Sequence, residues 1–81
     1  MDKLDFAILN YMLDACDAKS KINSVALRAL HSALEVKSNT LYRRLKILTK
    51  MGYTAKGFND RREHTYYVTK EGEEILKEAL K

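Results

Sequence analysis

Apolar residues recur at helical spacing in four stretches of the chain and alternate in one. Between Asp2 and Ala18, the positions Leu4, Ile8, Tyr11, Met12 and Ala15 share one arc of a first helix. Phe6, Leu9 and Leu13 form a second arc at i, i+3 and i+7. Either a later helix covers that arc or it is a surface for self-association, since exposed apolar stripes mark contacts. Lys19 to Ile22 reads as a short polar connection in which Ile22 can pair briefly as an extended residue. Asn23 or Ser24 then caps a second helix from Val25 to about Leu34, whose apolar set is Val25 or Ala26, Leu27, Leu30 and Leu34. Glu35, Val36 and Lys37 make a tight turn, with Val36 as its buried plug. Ser38 is the expected N-cap of a third helix, and Gly52 its stop, because glycine enters the left-handed region cheaply. At roughly 100° per residue, Leu41, Leu45 and Leu48 fall in one narrow arc of this helix, and Asn39, Arg43, Lys46 and Lys50 fall opposite.

The pattern changes after Gly52. Tyr53 to Lys56 is a short β-prone run, and His64 to Thr69 is rich in β-branched and aromatic residues. Gly57, Asn59 and Asp60 supply turn chemistry between them, so the two runs predict an antiparallel hairpin with Arg61 and Arg62 near its tip. Tyr66 and Tyr67 point to opposite faces, one toward the core. Thr69 can cap a last helix, Lys70 to Leu80. Its acids Glu71, Glu73 and Glu74 stand near the start and Lys77 and Lys81 near the end, which complements the helix dipole. Ile75, Leu76, Ala79 and Leu80 make its apolar stripe, the natural cover for Phe6, Leu9 and Leu13. The expected fold is mainly α with a small β-hairpin, an α+β class in the order helix, helix, helix, hairpin, helix. It forms a single domain over residues 1–81.

Composition narrows the reading. The chain has no proline, three glycines and 46% hydrophobic residues, which suits one modest core rather than a linker. No apolar run approaches the ~20 residues that span a bilayer, and the first residues lack a signal peptide's basic and apolar regions. Cys16 is the lone cysteine, so it packs as a small hydrophobe, and a reducing, cytoplasmic location is expected. The formal charge of +4 is uneven: residues 37–64 carry eight basic and two acidic side chains, net +6, and the remainder nets −2. A cationic middle between mildly acidic ends is the footprint of a polyanion-binding face.

The third helix suggests which polyanion. An aliphatic spine with an outward row of amide and cations can dock on a protein core and a duplex at once, as a major-groove helix must. Asn39 can pair bidentately with adenine and Arg43 with guanine. Thr40 and Tyr42 flank that row and can touch a phosphate or a thymine methyl. Lys37, Ser38 and Lys46 suit phosphate contacts, through charge or the helix N-terminus, and Lys50 extends the cationic row. Arg28 is either a phosphate contact or an ordinary surface cation. Asp60 and Glu63 temper the hairpin tip and can pair with Arg61 and Arg62. His31, His64 and Cys16 lack metal-ligand spacing, and no phosphate loop or nucleophile–base arrangement occurs. Neither a metal nor any other cofactor is expected, nor is enzyme activity.

Two motifs carry a resemblance to a known family. The run Leu30, His31, Leu34, Glu35, Val36, Lys37, then Thr40, Leu41, Leu45, Leu48 and Gly52, is similar to the helix-turn-helix of winged helix-turn-helix domains. The ending Tyr66-Tyr67-Val68-Thr69-Lys70-Glu71-Gly72 resembles that family's passage from the second wing strand to the last helix. Both are close in style to the MarR and PadR groups of transcriptional regulators, over about residues 4–80. His31 replaces the usual small residue and Glu35 the usual glycine, which predicts a wider turn. The resemblance implies a small sequence-specific double-stranded DNA-binding regulator. Its helix 38–51 would lie in the major groove, and the hairpin 57–63 would act as a wing whose Arg61 or Arg62 enters the minor groove. It also implies a homodimer on two half-sites about one helical turn apart. The long dimerisation helices of many relatives have no counterpart in these residues, so pairing would use the first and last helices, with Phe6, Leu9 and Leu13 as the suspected surface. Room for a small-molecule effector pocket is lacking. Winged helices also serve as protein–protein modules or as nucleic-acid-binding accessories of replication and mobile-element machinery, which is the alternative reading.

Overall fold

Two aspartates close the start of the first helix, α1, which spans Lys3–Asp14. The Asp5 N–H donates to Asp2 Oδ1 and the Asp2 N–H donates to Asp5 Oδ2, each at 3.1 Å, a reciprocal box that satisfies two otherwise unpaired donors. The computed structural model describes residues 1–58 and 63–80. After α1 come a 3-10 turn, Lys21–Asn23, and a two-residue strand β1, Val25–Ala26. Then follow α2 (Leu27–Leu34), α3 (Ser38–Lys50), β2 (Thr54–Lys56), β3 (Thr65–Val68) and α4 (Lys70–Ala79). The expected class, α+β with a hairpin wing, is the one observed.

Several boundaries differ from the sequence reading. The first helix ends at Asp14, and Asp17 takes a positive φ of 49° that turns the chain back toward the sheet. The second helix begins at Leu27 rather than Val25, with Ala26 at the cap position and no side-chain cap. Val25 and Ala26 instead pair antiparallel with Tyr66 and Thr65, so the hairpin grows into a three-stranded sheet of order β1-β3-β2. The amide of Asn23 reaches back to the Asp17 carbonyl rather than capping α2. Ile22 lies in the 3-10 turn and, among the described residues, pairs with no strand. Ser38 is not the cap of α3 but its first residue; Lys37 holds the cap position, again without a side-chain hydrogen bond. A lysine carries no short acceptor to offer the first N–H groups of the helix.

The core lies where α1, α3 and the sheet meet. Ile8, Leu9 and Met12 of α1, Leu30 of α2, Leu41, Leu45 and Leu48 of α3, Tyr66 and Val68 of β3, and Leu76 of α4 are buried together. Each such side chain contributes about 1.5–3 kcal/mol relative to exposure, so the three α3 leucines alone outweigh any single surface ion pair.

The motif from Tyr66 to Gly72 has a physical basis. Tyr66 and Val68 enter the core, while Thr69 Oγ1 accepts from the Gly72 N–H at 3.1 Å and donates to the Gly52 carbonyl at 2.6 Å. A Cβ on Gly72 would stand 2.1 Å from the Tyr53 carbonyl oxygen, so only glycine lets α4 start this close to the end of α3. Gly52 itself has φ +87°, the left-handed stop expected of it.

Candidate nucleic-acid interface

Helix α3 is seated by Leu41, Leu45 and Leu48, and everything on its opposite side is exposed: Lys37, Ser38, Asn39, Thr40, Arg43, Lys46 and Lys50. Among the described residues no ion pair engages Lys37, Arg43, Lys46 or Lys50. These charges are exposed, and no described acid pairs with them. Tyr42 is 38% exposed, and its ring centroid lies 5.5 Å from that of His64, at the foot of the hairpin. It bridges the helix and the wing.

The turn before α3 absorbs both departures from the family pattern. Glu35 adopts φ 55°, ψ 35°, the left-handed conformation that glycine would take. The turn is therefore not widened; the substitution is held as backbone strain. His31 explains how: its Nδ1–H donates to the Val36 carbonyl at 2.6 Å and ties the end of α2 across the turn. Val36 is half-buried against the core rather than a full plug.

The wing is anchored at its base. Arg28 of α2 donates to both carboxylate oxygens of Glu63, at 3.1 and 2.9 Å. Glu63 is thus turned to α2, and Arg28 acts as a brace. The tip residues Asn59, Asp60, Arg61 and Arg62 lie outside the described residues, and with them the expected wing arginines.

The sequence reading missed the pairing of Asp5 and Arg44. Arg44 Nε and Nη2 donate to the two Asp5 carboxylate oxygens at 2.8 and 2.5 Å, and Asp5 is fully buried. Burial pushes the Asp5 carboxyl up, but the hydrogen bonds from Arg44 and the Asp2 backbone and the guanidinium charge outweigh it. The group is held below its ordinary 3.8. A signal existed. Asp5 belongs with Ile8, Leu9 and Met12 at i, i+3, i+4, i+7, and Arg44 with Leu41, Leu45 and Leu48 in the same way. Opposite charges on two apolar arcs predict one buried pair.

The suspected pairing surface is also revised. Leu9 is a core residue with no exposed surface, because α4 packs over α1. Phe6 and Leu13 are half-buried, and Leu13 lines a shallow groove with Leu76 and the 71% exposed Leu80. Among the described residues no helix is long and apolar enough to cross a membrane.

Neither a protein-family model nor a curated protein sequence matches the chain. Solved structures match its shape. TubR from Bacillus megaterium pBM400 superposes with a TM-score of 0.87 at 18% identity, over 99% of this chain and 87% of that one. A mutant MarR from E. coli gives 0.81 at 22% identity over 96% of this chain, which spans only 54% of MarR. A fragment of TubR from Clostridium botulinum, described as DNA-binding, gives 0.77 at 24% identity, over 98% of this chain and 96% of the fragment. The fold these chains share with the present one is the winged helix-turn-helix, which the two sequence motifs implied.

Proposed function

We propose that this chain is a small transcriptional regulator that binds double-stranded DNA sequence-specifically, with α3 in the major groove and the hairpin as its wing. The observation that carries the reading is the outward row Asn39, Arg43, Lys46 and Lys50, which has no ion-pair partner among the described residues and stands over a buried leucine spine. Leaving a guanidinium and two ammonium groups unmatched on one helix face keeps them available to phosphates and base edges. Asn39 and Arg43 read adenine and guanine; Lys37, Ser38, Thr40, Lys46 and Lys50 hold the backbone, with the uncapped N–H groups of α3 adding to the phosphate contacts. Tyr42, fixed against His64, sets the helix relative to the wing. Arg61 and Arg62 take the minor groove. That the Clostridium botulinum TubR fragment is described as DNA-binding supports the same reading.

Selection of bound sites from a random duplex library, followed by titration across ionic strength, tests it. A recovered consensus is expected, with binding that falls steeply as salt rises. A protein-adaptor role instead expects no duplex binding even at low salt, and that result would overturn the proposal.

A further inference from the structure

We infer that Phe58, with Lys21 over its ring, is an apolar wedge that enters the minor groove and bends the bound duplex. The inference rests on the DNA reading above and assigns a role to residues outside the recognition helix.

Phe58, two residues beyond β2, is 59% exposed, and Ile22, next to Lys21, is 85% exposed. Scattered apolar side chains on a surface need no explanation. Here three contacts give the ring a fixed station. The Lys21 ammonium sits 4.9 Å from its centroid, which joins the 3-10 turn to the wing. The Phe58 carbonyl accepts from Thr65 Oγ1, and the neighbouring Gly57 N–H donates to the Thr65 carbonyl at 2.9 Å. The backbone that carries the ring is therefore pinned to β3. His64, next to Thr65, touches Tyr42 of α3. A line of contacts thus runs from the reading helix through His64 and Thr65 to Phe58 and Lys21.

Charge identifies the occupant. Lys21 stands over the ring, and Glu63 at the base of the hairpin is engaged by Arg28. An exposed apolar ring with a cation over it suits a polyanion with an apolar interior. A base stack entered from the minor groove is one, since wedges such as phenylalanine part a base step and kink the duplex. Lys21, already over the ring, is then carried to the adjacent phosphate.

The test uses a duplex bearing the selected site, labelled at both ends, so that energy transfer reports bending while titration reports affinity. Phe58→Ala should bind about tenfold more weakly and lose the bend at saturation, with its thermal midpoint and salt dependence unchanged. Phe58→Leu should keep most of both. Lys21→Ala should keep the bend and lower the salt slope by about one. Arg43→Ala should weaken binding yet bend the duplex at saturation, which separates the wedge from the reading helix. Wild-type affinity and bending in Phe58→Ala, or a straight duplex in the wild-type complex, would overturn the wedge and leave the role of α3 standing. Absence of any duplex binding by the wild-type chain would overturn both.

Discussion

Arg43 and Arg44 are neighbours on α3, and the fold uses them in opposite ways. Arg44 lies on the leucine side, 27% exposed, and grips the buried Asp5 of α1 with two hydrogen bonds. Arg43 lies a third of a turn away, exposed, with no ion pair among the described residues. The inner face of the helix is electrically closed and the outer face is open. Chemistry does not distinguish the two side chains; angular position relative to Leu41, Leu45 and Leu48 does. Inside, a charge has to be matched, because a buried group left unpaired costs more than the pair gains. Outside, a match would cancel the attraction that a polyanion partner requires. Exposure alone does not decide this, since the exposed Lys19 and Lys77 both stand near Glu73, at 3.8 and 3.6 Å.

The sharpest way to break this contrast is to remove the inner acid. Asp5→Ala should cost about 2–3 kcal/mol of folding stability by chemical denaturation, from the lost charged hydrogen bonds and the opened capping box. Its affinity for the selected duplex, measured where the protein is folded, should hold. The same carboxyl gives a pH signature. Because its folded pKa is depressed below 3.8, its contribution is present above that value and is lost as pH falls through the lower folded value. Asp5→Asn should therefore flatten the acid limb of the stability curve in that range; an unchanged limb would mean that other carboxyls govern it.

Arg43→Ala on the outer face should do the reverse. Binding at the selected site should weaken by the ~1–3 kcal/mol of one good base pair contact, with melting temperature unaltered. A smaller effect is expected at the turn: Glu35→Gly relieves the left-handed strain and should stabilise the fold by about 0.5–1 kcal/mol. A loss instead would show that the His31 tie fails once the backbone is freed. Least of all, Lys46→Ala should weaken every duplex alike and lower the salt slope by about one. A sequence-dependent loss would move Lys46 from phosphate contact to base readout.

Much of this was legible in the chain. The amphipathic arcs located α1, α3 and α4 and told which side of α3 would be exposed. Gly52 and Thr69 marked helix ends through chemistry that operates within a few residues. What escaped was non-local. Val25 and Ala26 continue the apolar spacing of α2, and only pairing with Tyr66 and Thr65, far along the sequence, makes them a strand. For Leu9 the sequence offered both a cover by the last helix and a pairing surface, and the packing of α4 on α1 decides for the cover. Ser38 looked like a cap because its side chain suits one; the helix began there instead, and the cap position fell to Lys37. The Asp5–Arg44 pair was readable from two apolar arcs taken together, and each arc taken alone showed only a surface charge.

The Thr69 hydroxyl serves two helices at once, receiving the Gly72 N–H of α4 and giving its proton to the Gly52 carbonyl at the end of α3. With Gly72 seated against the Tyr53 carbonyl, the two helix ends are in close backbone approach. Tilting α4 would therefore drag on the closing turn of α3 and carry the exposed row of Asn39, Arg43 and Lys46 with it.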